Sequence, residues 1–179
     1  APQGFVVDAS VSAAWFLPQE ATAHTEAALQ STATHDVWVP ALWLLEVGNL
    51  LLSAQRRKRI TADKRRELAE AAAALRLKVD REPVTITALD DLAARHGLSA
   101  YDAAYLELAL RRRLPLATLD DALLAAMAKA GVAAAMPRAS TVAAPASDRC
   151  CRSACSSRVR SSAIRVASFG ACARSWRSR

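Results

Sequence analysis

Residues 5–10 read Phe5-Val6-Val7-Asp8-Ala9-Ser10: an apolar run, then an acid, then two small residues. A short apolar run with β-branched members reads as a buried strand. Ser10 then suits a helix N-cap, with Val-Ser-Ala-Ala-Trp-Phe-Leu behind it. The same order returns near the end of the folded part. Leu114-Pro115-Leu116-Ala117-Thr118 reads as a strand, with Pro115 at its first residue or an edge, and Leu119-Asp120-Asp121 opens a helix.

Between these two units the chain keeps alternating. Val37-Trp38-Val39 is a second strand, and Pro40 suits the first turn of the helix after it. Val84-Thr85-Ile86 is a weaker third strand, and residues 132–135 add a short edge strand. Helices are expected over 20–31, 41–55, 61–78, 89–96, 99–113 and 119–130, with Gly97 and Gly131 as stops. Strands alternating with helices imply an α/β fold, a parallel sheet with helices on both faces. The strands that end at Asp8 and Thr118 are expected to be neighbours at the switch point, where such sheets bind ligands.

The chain has 179 residues and a formal net charge of +7. That charge belongs to the end of the chain. Residues 138–179 hold nine arginines, no lysine and one acid, whereas residues 1–137 hold 15 basic and 16 acidic groups. All four cysteines also lie beyond residue 137. We therefore divide the chain into a domain over 1–137 and a tail over 138–179 rich in Arg, Ser and Cys. The tail lacks the apolar content to offset its ordering entropy. It reads as disordered, either a non-native extension or an Arg/Ser-rich RNA-binding arm. A cysteine-free domain with no secretory signal and no membrane span is expected in the cytoplasm.

Four acids stand in or beside mostly apolar stretches: Asp8, Glu46, Asp102 and Asp120. Carboxylates gathered in one pocket need a cation or shared protons. Each acid also has a local reading. Asp8 could cap a helix. Ser99-Ala100-Tyr101-Asp102 is a capping box, and so is Thr118-Leu119-Asp120-Asp121, which gives Asp121 a structural task and leaves Asp120 over. Glu46 resists such a reading, because it sits mid-helix among Leu42, Leu44, Leu45, Val47 and Leu50, and Asn49 shares its face. Oxygen donors without convergent His or Cys favour Mg²⁺ or Mn²⁺. His24, His35 and His96 lack ligand spacing, and no phosphate-binding glycine loop or nucleophile elbow is present. Trp15, Trp38 and Trp43 are expected in the core.

At Val6-Val7-Asp8-Ala9-Ser10, residues 40–51 (PALWLLEVGNLL), 98–110 (LSAYDAAYLELAL) and 116–123 (LATLDDAL), the sequence resembles PIN-domain ribonucleases. Within these it looks like the VapC-type toxins of VapBC toxin–antitoxin pairs. The resemblance covers residues 4–132 and implies a PIN-like three-layer α/β/α sandwich. It implies Mg²⁺- or Mn²⁺-dependent cleavage of RNA (tRNA or rRNA) leaving a 5′-phosphate. Asp8, Glu46, Asp102 and Asp120 match the acidic quartet as catalytic and metal-holding residues. Ser10, Asn49, Thr118 and Asp121 match supporting positions. A VapB-like antitoxin and a homodimer are the implied partners, with no membrane. Three basic runs could hold RNA: Arg56-Arg57-Lys58-Arg59, Lys64-Arg65-Arg66 and Arg111-Arg112-Arg113. The rival readings are a catalytically inactive PIN-like binding module and a phosphotransfer domain using Asp8. The second would ask for an acid where Ser10 stands and a lysine where Asp120-Asp121 stands.

Overall fold

The apolar run at Gly4–Val7 forms strand β1, and its alternation builds both sides of the molecule. Phe5 and Val7 enter one core cluster while Val6 enters the other. The computed structural model describes residues 4–17 and 20–135. After β1 come α1 (Ala9–Phe16), α2 (Ala23–Ser31), β2 (Asp36–Pro40), α3 (Trp43–Arg56) and α4 (Ala62–Ala74). They are followed by β3 (Leu77–Asp80), α5 (Ile86–His96), α6 (Ala100–Arg112), β4 (Leu116–Ala117) and α7 (Asp121–Ala130).

The four strands pair in parallel in the order β3-β2-β1-β4. Side chains alternate across a strand, so each strand feeds two layers. Phe5, Val7, Val37 and Val39 pack with Val11 and Trp15 of α1 and Trp43, Val47 and Leu51 of α3. On the other face Val6 and Leu116 pack with Tyr105, Leu106 and Ala109 of α6 and Leu123 and Met127 of α7. The result is the expected α/β/α sandwich. The chain moves outward from β1 to β2 and β3, then returns to the far side of β1 as β4. The switch point therefore lies between β1 and β4, as the sequence predicts. Gly4 is required here, because a Cβ would sit 2.3 Å from the Asp36 carbonyl oxygen of the paired strand.

Several boundaries differ from the sequence reading. The third strand is Leu77–Asp80, and the segment at Val84-Thr85-Ile86 instead starts a helix, with the Thr85 side chain accepting from the Ala88 amide at 3.3 Å. The helix expected to run to Lys78 ends at Ala74, because Leu77 and Val79 find cover on the first core cluster once Leu75 turns to extended backbone. Pro40 closes β2, in register with Asp80 of β3, rather than opening α3. The helix expected from residue 20 begins at Ala23, under a reciprocal cap between Thr22 and Thr25. Gly97 and Gly131 are left-handed helix stops as predicted, with φ of 67° and 73°. Residue 134 makes one parallel bridge to Leu116, the trace of the expected edge strand. Trp15 and Trp43 are buried, whereas Trp38 is half-buried beneath the Arg112 guanidinium, 3.6 Å from its ring. No helix among the described residues is long and apolar enough to cross a membrane. The expectations for the tail over 138–179 lie outside the described residues.

Candidate metal centre

Asp8 follows the last residue of β1, where its amide donates to the Ala117 carbonyl of β4 at 2.9 Å. That pairing pins the acid to the switch point. Its carboxylate is 5 % exposed and accepts hydrogen bonds from the Ser10 and Thr118 hydroxyls, the latter at 2.8 Å. Ser10 also accepts the Leu119 amide at 3.0 Å, and Thr118 accepts the Asp120 amide at 3.0 Å. The two hydroxyls therefore tie α1, β4 and the start of α7 around one carboxylate. Burial raises the Asp8 carboxyl above its ordinary value. The Ser10 and Thr118 hydroxyls and the Ala9 and Ser10 amides oppose that shift without cancelling it.

Glu46 projects from the first turns of α3 and accepts a hydrogen bond from the Tyr105 hydroxyl of α6. Burial raises its carboxyl, the Tyr105 bond pulls the other way, and the charges of Asp8 and Asp102 raise it further. Those two charges reach Glu46 from the end of β1 and from α6, so both acids lie within electrostatic reach of Glu46. Tyr105 is 1 % exposed, and burial beside Glu46 pushes its phenol far above the ordinary range, so it is a permanent donor. Asp102 lies in the first turn of α6, which has a favourable dipole for an anion. The cap there forms as predicted at the Ser99 hydroxyl, which accepts the Asp102 amide at 3.1 Å. Rather than reaching back to an amide, the Asp102 carboxylate accepts from that hydroxyl at 2.6 Å.

Two caps fall elsewhere than the sequence suggests. The N-cap of α1 is Asp8, and Ser10 lies inside the helix, where its hydroxyl turns back to the acid. The N-cap of α7 is Asp120, which accepts the Leu123 amide at 2.8 Å. Asp120 thus takes the structural task expected of Asp121, which follows it as an exposed residue of the first turn. Asp120 joins Asp8 through its own amide and Thr118. Asn49 is exposed on the face of α3 that carries Glu46.

Three residues were not singled out from sequence. Trp43, one turn before Glu46, donates its indole N–H to the Ser12 hydroxyl at 2.8 Å, and Ser12 donates to the Asp8 carbonyl at 3.1 Å. This chain fixes α3, and hence Glu46, against the end of β1. Tyr105 stands one turn after Asp102 on the same helix face, and that spacing was its signal.

As the side chains stand, no group of three His, Cys, Asp or Glu among the described residues is close enough to hold an ion. The donor chemistry nevertheless fits a hard divalent cation. Every convergent donor is an oxygen, and the acids repel one another in a part-buried site. Asp8, Glu46 and Asp102, with Asp120 joined to Asp8 through Thr118, are the residues that would hold it.

Fold and centre together define a three-layer α/β/α domain that gathers carboxylates at its switch point. The PIN domain profile matches residues 5–130, and the chain belongs to that family. PIN domains are generally nucleases that use divalent metal ions. Among solved structures, the crystal structure of PAE2754 from Pyrobaculum aerophilum is similar, with 26 % identity and a TM-score of 0.48 over 69 % of this chain and 85 % of that one. No curated protein matches the chain.

Proposed function

We propose that this PIN domain is a Mg²⁺- or Mn²⁺-dependent endoribonuclease, the toxin of a VapBC-type pair, which hydrolyses a phosphodiester in tRNA or rRNA. The placing of Asp8 at the switch point, with its charge and that of Asp102 both reaching Glu46, carries the reading. Three like charges, two of them on carboxyls raised by burial and the third in the first turn of α6, are costly without a counter-ion. When bound, the cation supplies charge for the scissile phosphate and acidity for an attacking water.

The chain's own residues do the rest. Ser10 and Thr118 occupy one oxygen of Asp8 and so fix its orientation. Tyr105 does the same for Glu46. Asp120, held as the cap of α7 and linked to Asp8 through Thr118, acts with the other three acids, and Asn49 and Asp121 support them. Cleavage leaves a 5′-phosphate. A VapB-like antitoxin, presenting a basic side chain to the acidic centre, would be the natural inhibitor, and the toxin would act as a homodimer in the cytoplasm.

The test is cleavage of total tRNA and rRNA by the full chain with Mg²⁺ or Mn²⁺, with EDTA, and by Asp8→Asn. Discrete products bearing 5′-phosphates, dependent on metal and on Asp8, are expected. Cleavage that survives EDTA or Asp8→Asn would remove the acidic centre from the mechanism.

A further inference from the structure

The three basic runs are not equivalent once folded. Lys64 pairs with Glu67 and Arg66 with Asp63, both within α4, and Arg65 donates to Gln55 at 2.6 Å. Arg111 and Arg112 clamp Asp80, the last residue of β3, and Glu82 just beyond it. These residues already have carboxylate or amide partners that hold helices together.

The run at the end of α3 is placed differently. Arg57 and Arg59 line a cleft of about 510 Å³ whose other lining residues include Glu46, Asn49, Ser53 and Tyr101. The acidic centre and a basic patch therefore share one groove. Glu46 and Arg57 stand 11 residues apart, about 16 Å along a helix. Such a run can seat more than one phosphodiester unit. At the acidic end, Tyr101 is 65 % exposed and adjoins Asp102. An exposed tyrosine next to an exposed, leucine-lined wall offers a surface on which a nucleobase stacks. The wall is formed in part by Leu45, which is 71 % exposed.

We propose that this groove holds a single-stranded segment of the RNA substrate, with the base beside the scissile phosphate stacked on Tyr101 and the following phosphates drawn to Arg57 and Arg59. The inference rests on the nuclease reading above and adds to it the route of the strand. A groove lined by a carboxylate, an aromatic ring and two guanidinium groups, with Glu46 and Arg57 about 16 Å apart along α3, matches a polyanion that is cut at one end and held at the other. Stacking on Tyr101 requires an unpaired base, so single-stranded loops or ends are selected. Arg59 is shared with Glu20 at 2.9 Å, which leaves Arg57 as the principal phosphate contact.

The test uses the full chain and a fluorescent single-stranded oligoribonucleotide, with Ca²⁺ replacing Mg²⁺ for binding, and Mg²⁺ for cleavage kinetics. Tyr101→Ala is expected to weaken binding about 5- to 150-fold, and Tyr101→Phe to restore it. Arg57→Gln is expected to lower the slope of log affinity against log salt by about 0.7 and to raise KM while sparing kcat. Lys64→Gln serves as the control and should bind as the parent does. Should the parent bind and cut RNA while Arg57→Gln and Tyr101→Ala match it, the groove is not the route, though the nuclease reading stands. Should the parent neither bind nor cut any RNA, the nuclease reading itself fails and the groove with it. A change of oligomeric state in Tyr101→Ala, seen by sedimentation with RNA binding intact, would make the groove a protein interface and overturn the proposal.

Discussion

Tyr105→Phe isolates one hydroxyl at the centre. The ring is buried among Val6, Leu106, Leu116 and Leu123, and phenylalanine keeps that packing. What is lost is the hydrogen bond to Glu46, a carboxylate already opposed by burial and by the charges of Asp8 and Asp102. A hydrogen bond to a charged group is worth about 1.5–3 kcal/mol. Outer partners of metal-binding carboxylates typically carry about 10- to 100-fold in affinity or activity. Tyr105→Phe should therefore bind Mn²⁺ about tenfold or more weakly, by calorimetry without RNA. The Glu46 carboxyl, stripped of its lowering influence, rises further, so the acidic limb of the cleavage profile moves toward neutral pH. Circular dichroism and the unfolding midpoint at low pH, where Glu46 is neutral, should stay close to the parent. Unchanged Mn²⁺ affinity together with an unchanged pH profile would refute the claim that Tyr105 orients Glu46.

Asp80 is 5 % exposed; burial works against its charge, but hydrogen bonds and charge from Arg111 and Arg112 prevail and hold its carboxyl below the ordinary value of 3.8. Asp80→Asn should cost about 2 kcal/mol at pH 7 by urea unfolding, less than a fully buried pair because both arginines reach solvent. A depressed folded pKa gives stability present above the unfolded value and lost as pH falls through the folded one, so the deficit should close below pH 3.8. Asp8 and Glu46 have the opposite sign. Their raised carboxyls stabilise the fold below the ordinary values of 3.8 and 4.5 and lose that contribution as pH rises. Metal-free Glu46→Gln should thus melt above the parent at pH 7, with the gap narrowing toward pH 4.5. Thr118→Val removes a donor to Asp8 and the acceptor for the Asp120 amide. It should cost about 1–3 kcal/mol in thermal unfolding and lower cleavage, both recovered in Thr118→Ser.

Much of this site could be read from sequence because its acids stand at element boundaries. Asp8 and Asp120 lie just past apolar runs whose pairing follows from parallel α/β topology. Glu46 was conspicuous as a charge within a leucine-rich helix. What sequence obscured was which polar side chain takes which local bond. Asp8 and Ser10 both suit an N-cap, as do Thr118 and Asp120, and only the tertiary docking of β4 beside β1 decides between them. The third strand escaped because Leu77-Lys78-Val79-Asp80 continues an Ala- and Arg-rich stretch with helical composition, and its partner β2 is distant in sequence. Tyr105 is buried, and Trp43 lies in the core, where it is expected. Their polar atoms, aimed at Glu46 and Ser12, became visible only in three dimensions.

The central claim is that Asp8 and its neighbours hold a divalent cation. The most direct test is the unfolding midpoint of the full chain at pH 7 as Mn²⁺ is raised, for the parent and for Asp8→Asn. Ligand at a hundredfold excess over its dissociation constant stabilises by about 2.7 kcal/mol. The parent should rise accordingly with Mn²⁺ while Asp8→Asn stays flat. A parent that does not respond, or a variant that responds equally, would contradict the account.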